Sequence, residues 1–268
     1  MRGGSGSRLR VRLAHHAIGV ETAFALVPAA LANTLVGRLA KNCMDQTPFQ
    51  LVATDLAENP DPRCPSLLLL DVSGSMAGYA LGELQAGLDQ YKDELSADAL
   101  ASRRVEVGLV TFGGGVQTVS PFVGAPQFAI PRLAAGGDTP MGQAIVTGLD
   151  LLQARKTELR MHGVPLFRPW VFLITDGAPT DADSAWWQQA VQRIRDGERN
   201  QSFIFFAVGV KGADMARLSE LTERKYSLDG LRFRDLFAWL SASQKVVSAS
   251  APGDKLALPK PDCIEITI

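Results

Sequence analysis

The chain has 268 residues, of which 46% are hydrophobic and 21% are charged, so it can bury a sizeable core and is not disordered as a whole. Its 27 basic and 28 acidic residues give a net charge of −1, which argues against a nucleic-acid partner. The 3 cysteines form no CxxC pair, which favours a reducing compartment over a disulfide framework. We therefore predict a cytoplasmic location.

Residues 1–43 form an N-terminal extension that differs in charge from the rest of the chain. It holds six basic residues and one acidic residue, Glu21. The mostly apolar stretch 17–37 resembles a signal peptide or a membrane anchor, but Glu21 and several polar residues interrupt it, so we expect no membrane association. A loosely attached helix and an upstream extension with translation starting at Met44 remain open as alternatives.

Three further segments follow this extension. Residues 44–63 form a Pro-rich lead-in, residues 64–248 are predicted to form one α/β domain, and residues 249–268 are predicted to be a tail without regular structure. Within the domain, continuous apolar runs alternate with apolar residues at helical spacing. This alternation predicts a Rossmann-like, mostly parallel sheet with helices on both faces and one short antiparallel edge strand at 116–119.

The predicted strands and helices alternate in chain order. The strands are expected at 67–72, 105–112, 116–119, 171–175, 203–210 and 226–228. The helices are expected around Leu81–Leu95, Met141–Leu152, Trp187–Ile194, Met215–Leu221 and Phe233–Leu240.

Polar side chains are concentrated where these strands end. Asp71 lies at the end of the first predicted strand, Ser73 and Ser75 follow that strand, and Asp176 follows the strand at 171–175. Thr139 precedes the helix that starts near Met141. In an open parallel sheet, ligands bind outside the carboxyl ends of the strands. A set of two carboxylates and three hydroxyls is typical of a hard cation such as Mg²⁺, Mn²⁺ or Ca²⁺.

The motif Asp71-Val-Ser-Gly-Ser75, together with Thr139 and Asp176-Gly177, resembles the metal-ion-dependent adhesion site of von Willebrand factor type A (VWA) domains. The resemblance implies that Asp71, Ser73, Ser75, Thr139 and Asp176 surround one divalent cation, either directly or through water. It also implies that a carboxylate of a partner protein completes the coordination.

Four longer stretches of the chain resemble the bacterial TerY-like subfamily of VWA proteins, namely residues 57–65, 136–142, 168–177 and 230–237. The resemblance covers about residues 44–261 and implies a soluble protein of a stress or tellurite-resistance locus. A protein kinase or a PP2C-type phosphatase of the same locus is then a candidate partner. Residues 1–43 and 262–268 depart from the subfamily.

Other interpretations of these residues differ in function class. A phosphoryl-transfer enzyme of the haloacid-dehalogenase type would need an Asp where Ser73 stands, and no Gly-x-Ser-x-Gly or P-loop motif is present, so we predict no enzymatic activity. An exported or anchored adhesin is the second alternative. Asp138 and Asp181 are outer ligands or, as we prefer, helix caps: Asp138 beside Pro140 and Asp181 for the helix after Ser184.

Overall fold

The structure is a computed structural model that describes residues 59–259 and 263–266. The N-terminal extension 1–43, its apolar stretch and the lead-in up to residue 58 lie outside the described residues. Within the described ranges, no helix is long and apolar enough to span a membrane.

The described residues form strands and helices in alternation. The strands are β1 (Cys64–Asp71), β2 (Val105–Phe112), β3 (Val116–Gly124), β4 (Trp170–Thr175), β5 (Ile204–Gly209), β6 (Lys225–Leu228) and β7 (Ile264–Ile266). The helices are α1 (Tyr79–Ala97), α2 (Ala101–Arg104), α3 (Met141–Met161), α4 (Ala185–Arg199), α5 (Met215–Leu221) and α6 (Phe233–Ser248).

The strands form one sheet in the order β3-β2-β1-β4-β5-β6-β7. The five strands from β2 to β6 in this order pair in parallel, which confirms the predicted α/β class. Two details differ from the prediction. The antiparallel edge strand β3 runs on to Gly124 past an irregular register, and the predicted tail contributes a second antiparallel strand, β7.

Apolar residues of β1 alternate between the two faces of the sheet. Leu68 and Leu70 belong to the core that includes α1 and α6, whereas Leu67 and Leu69 belong to the core with α3 and α4. All of them are fully buried, which explains the continuous apolar run in the sequence. The sheet is therefore covered on both faces, and its strand ends are the places where polar loops can build a site.

Helices α1 and α6 approach each other closely at Gly87. A β-carbon at this position would lie 2.7 Å from the Phe237 ring and 3.1 Å from the backbone of Phe233. The Tyr91 hydroxyl on the same helix donates to Gln244 Oε1 on α6 at 2.7 Å. A glycine contact and a buried hydrogen bond thus fix α6 against α1.

A buried charge network lies at the amino ends of β1 and β2. The Glu106 carboxylate accepts hydrogen bonds from Arg63 Nε at 3.1 Å and from Arg155 Nε at 2.8 Å. The Glu106 side chain is only 2% exposed, and the Arg63 side chain 1%. Burial by itself would lower the pKa of Arg155, but hydrogen bonds to Glu106 and its negative charge raise it. The Glu106 carboxylate therefore pairs with two buried guanidinium groups from different segments, and Glu158 supplies a second negative charge to Arg155.

We expect Glu106→Gln to lower the free energy of unfolding by about 3–5 kcal/mol, because it leaves the buried Arg63 without its counter-charge and removes one of the two carboxylates that pair with Arg155. Chemical denaturation of the variant and the wild type measures this difference. Glu158→Gln is the matched control, since Glu158 also pairs with Arg155, at 2.8 Å, but is 29% exposed. It should cost less than about 1 kcal/mol. Equal losses in both variants would contradict the importance of the buried pair.

Candidate metal centre

The five predicted site residues lie at one edge of the sheet. Asp71 is the last residue of β1, Ser73 and Ser75 follow it, and Asp176 follows β4. Thr139 lies two residues before α3. Because β1 and β4 are parallel neighbours, their carboxyl ends lie side by side.

The carboxylate of Asp71 is buried and hydrogen-bonded on both oxygens. The backbone N–H of Ser73 donates to Oδ1 at 2.8 Å, and the Thr175 hydroxyl donates to Oδ2 at 2.5 Å. Asp71 and Thr175 are both 0% exposed. Thr175 was not among the residues predicted from the sequence, where its one signal is its place at the end of β4, directly before Asp176.

The two serines connect Asp71 to Asp176. The Ser75 hydroxyl donates to Asp176 Oδ1 at 2.7 Å, and the Ser73 and Ser75 hydroxyl oxygens are 3.1 Å apart. Ser73 is buried, whereas Ser75 is exposed. The loop after β1 thus reaches across to the loop after β4 through the hydrogen bond from the exposed Ser75 to Asp176.

The position of Gly177 shows that Thr139 joins this group. A β-carbon on Gly177 would lie 3.4 Å from Thr139 Oγ1, 3.9 Å from Ser75 Oγ and 4.0 Å from Asp71 Oδ2. Oxygens from the end of β1 and its loop and from the Thr139 loop therefore lie within 4.0 Å of one point on the third loop, which carries Asp176. The structure brings all five predicted residues together.

The donor set fits a hard divalent cation. It consists of two carboxylates and three hydroxyls, which are oxygen ligands of the kind that Mg²⁺, Mn²⁺ and Ca²⁺ prefer. Burial raises the pKa of the Asp71 carboxyl, and the nearby charge of Asp176 adds to this, although hydrogen bonds from Ser73 and Thr175 partly offset both effects. A cation between the carboxylates would relieve their repulsion.

No group of three or more His, Cys, Asp or Glu side chains in residues 59–259 and 263–266 could hold a metal ion. The predicted centre has only two such side chains, and its remaining oxygens are hydroxyls. Any cation there depends on Ser73, Ser75 and Thr139 as much as on the acids.

Backbone contacts hold the loop after β1 against the loop that carries Thr139. The N–H groups of Gly74 and Gly136 donate to the carbonyl oxygens of Gly137 and Val72 at 3.1 and 2.8 Å. Gly137 has a φ of 72°, and a β-carbon there would lie 2.1 Å from the Cα of Gly114. No other residue fits at Gly137 without moving the loop that carries Thr139.

The second carboxylate of the loop after β4 has a different role from the one predicted. Asp181 accepts from the backbone N–H groups of Gly142 and Gln143 at 3.0 and 2.9 Å, so it caps α3 rather than the helix after Ser184. Ser184 caps that helix itself. Asp138 is exposed, and Pro140 provides no side-chain cap for α3. Asp181 therefore ties the Thr139 loop to the Asp176 loop.

The chain is similar to proteins of one known family. A model of the von Willebrand factor type A domain family matches residues 67–234, which is more than half of the chain. The chain belongs to the von Willebrand factor type A family. VWA domains are generally interaction modules rather than enzymes, and they commonly bind a divalent metal. No curated protein sequence matches the chain.

Solved structures similar to this VWA chain come from several organisms. The pilus adhesin SpaC from Lactobacillus rhamnosus GG matches with a TM-score of 0.54 and 16% identity, over 70% of this chain and 30% of SpaC. The ArnB paralog VWA2 from Sulfolobus acidocaldarius matches with a TM-score of 0.46 and 16% identity, over 68% of this chain and 45% of VWA2. Manganese-loaded TRAP from Plasmodium vivax has a TM-score of 0.45 and 16% identity, over 65% of this chain and 71% of TRAP. At these identities, the SpaC match supports the fold alone.

We expect Gly137→Ala to weaken Mg²⁺ binding without changing any predicted ligand, because the added methyl group displaces the Thr139 loop from Gly114. The free energy of unfolding should also fall, by at least about 1 kcal/mol for the positive φ. Gly136→Ala is the control, since a β-carbon at Gly136 meets nothing within 4 Å. Titration calorimetry with Mg²⁺ and chemical denaturation test this, and identical behaviour of the two variants would contradict it.

We expect the metal-free protein to lose stability as the pH rises through the raised pKa of Asp71. Between the usual Asp pKa and the raised one, the folded state holds a proton that the unfolded chain has lost, so a higher pH favours unfolding. Asp71→Asn should remove this part of the pH dependence. Urea denaturation in EDTA from about pH 4 to pH 7 measures it. Parallel stability curves for the variant and the wild type would show that Asp71 does not titrate in this way.

Proposed function

We propose that this VWA domain is a metal-ion-dependent protein-binding module. Asp71, Ser73, Ser75, Thr139 and Asp176 would hold one divalent cation, with Mg²⁺ as the first candidate and Mn²⁺ or Ca²⁺ as the others. The observation that carries the proposal is the convergence of the Asp71, Ser75 and Thr139 oxygens next to Gly177, together with the hydrogen bond from Ser75 to Asp176. Two carboxylates in this set balance the charge of a divalent ion.

Bound there, the cation would supply a Lewis-acidic position for an acidic side chain of a partner protein. Each residue has a distinct part in this arrangement. Asp71, fixed by Ser73 N–H and Thr175, supplies a pre-oriented buried carboxylate. Ser75 and Asp176 lie on the solvent side, where a partner can approach, since Ser75 is exposed and Asp176 partly so. Binding to the cation would offset the cost of desolvating the partner's carboxylate.

The proposed biological setting rests on the sequence motifs alone. The TerY-like resemblance supports a cytoplasmic role in a bacterial stress or tellurite-resistance system, with a kinase or PP2C-type phosphatase as partner. An exported adhesin is the competing assignment. Fractionation of native cells separates the two, because recovery in the membrane or outside the cytoplasm would favour the adhesin.

Asp176→Asn should abolish the rise in melting temperature that Mg²⁺ gives the wild type. A saturating ligand stabilises the folded state by about 2.7 kcal/mol at 100 times its dissociation constant, and a weakened site loses that gain. Asp176 suits this test better than Asp71, because replacing Asp71 by Ala would leave the buried donors Ser73 N–H and Thr175 Oγ1 without an acceptor.

The matched control is Asp183→Asn, which makes the same charge change in the same loop region on a side chain that is 99% exposed. It should keep the full Mg²⁺ response. The same three proteins then serve in capture experiments from native lysate with and without EDTA. Equal Mg²⁺ shifts in Asp176→Asn and wild type would refute the site, and a partner set unaffected by EDTA would refute the metal-dependent mechanism.

A further inference from the structure

A second polar region lies at the opposite end of the parallel strands, before β4 and β5 begin. A cavity of about 660 Å³ opens there between the end of α3, the loops preceding β4 and β5, and the chain after α6. A smaller cavity of about 250 Å³ adjoins it, and both are lined by Lys156, Asn200 and Ser202. The larger volume is typical of small-molecule sites.

The lining of the larger cavity is strongly cationic. Lys156 and Arg160 come from α3, Arg168 from the loop before β4, and Lys255 from the chain after α6. The one carboxylate among the lining residues is Asp254, which accepts from the backbone N–H of Ala251 at 2.8 Å. Positive charge from three segments thus converges on one space.

None of these cations forms a salt bridge within the described residues, although the negative charge of Glu198 acts on Arg168. The Lys156 ammonium donates to the backbone oxygen of Ser202 at 2.9 Å, and Arg168 Nε donates to that of Phe203 at 3.0 Å. Neither Arg160 nor Lys255 forms a salt bridge within residues 59–259. The nearby carboxylate of Glu198 is already paired, with Arg224 at 2.6 Å.

Lys156 is the most unusual member of this group. Its side chain is only 5% exposed, and lysine is almost never buried to this degree unless it is paired with a negative charge. Burial lowers the pKa of Lys156, and the positive charge of Arg160 lowers it further. The ammonium has three donors, of which Ser202 occupies one. A negative group in the cavity would offset the burial of the Lys156 charge and its repulsion by Arg160, and it would accept hydrogen bonds from the remaining donors.

The lining of the cavity also contains apolar side chains. It includes Leu166, Trp170, Val247, Leu256 and Leu258. A ligand that matches both kinds of lining residue has an anionic end and an apolar body. Phosphate suits the anionic end better than carboxylate does, because its charge and several acceptor oxygens match an ammonium together with planar guanidinium groups.

We propose that this basic cavity binds a small organic phosphate, with the phosphate held at Lys156, Arg160 and Arg168 and the organic part against Trp170 and Leu256. The site is separate from the metal centre, which lies beyond the other ends of β1 and β4. Its occupancy requires no divalent cation.

Calorimetric titration of the full chain with phenyl phosphate in EDTA tests the proposal. The wild type should bind phenyl phosphate, and Lys156→Met and Arg160→Gln should each weaken binding at least about tenfold, because each removes a charge-assisted hydrogen bond. Lys92→Met, the same charge change on α1 away from the cavity, should bind as the wild type does. Inorganic phosphate should bind more weakly than phenyl phosphate, and benzoate should bind more weakly still.

Three results would overturn the proposal. These are no binding by wild type at about 10 mM phenyl phosphate, unchanged binding in Lys156→Met, and equal affinity for benzoate. Thermal melting without added anion gives an independent check. Lys156→Met should melt no lower than the wild type, because it removes a buried charge without a counter-charge. A clearly lower melting temperature would mean that the ammonium is already compensated in the fold.

Discussion

The candidate site depends on a buried carboxylate at the end of the central strand. Asp71 is completely enclosed, yet it keeps a defined orientation because a backbone N–H and a threonine hydroxyl donate to its two oxygens. A buried charge with only neutral donors is costly. This cost is acceptable in a family that commonly binds a divalent metal, since a cation beside Asp71 would change an electrostatic penalty into an attraction.

Much of the fold was readable from the sequence, and the reasons are physical. β1 and β4 are buried on both faces, so each appears as an uninterrupted apolar run. The extension of β3 past Ser120-Pro121 was not predicted, because these residues are typical of a turn and only pairing with β2 keeps them in the strand. The three-residue β7 carries too short a pattern to detect, and it exists because β6 offers it an edge.

The proximity of the candidate site residues was predictable from the sequence, and the hydrogen bonds that connect them were less so. Asp71, Ser73, Ser75, Thr139 and Asp176 were found because each follows or precedes an element whose end was itself predictable. Thr175 was missed because its role depends on register. Leu70 lies beside Ile174, which places Thr175 next to Asp71 only once β1 and β4 are paired. The capping of α3 by Asp181 likewise depends on tertiary contacts between two loops.

The two strands at the margins of the sheet have a consequence for self-association. An open sheet margin with unpaired backbone groups invites pairing with another molecule. On one side, β3 carries Pro121 and an irregular register, both of which disfavour addition of a further strand. On the other side, β6 has four residues and is covered by the backbone of residues 264–266. In the described residues the outer strand on this side is therefore β7 itself, and a margin of only three residues offers a neighbouring chain few unpaired backbone groups.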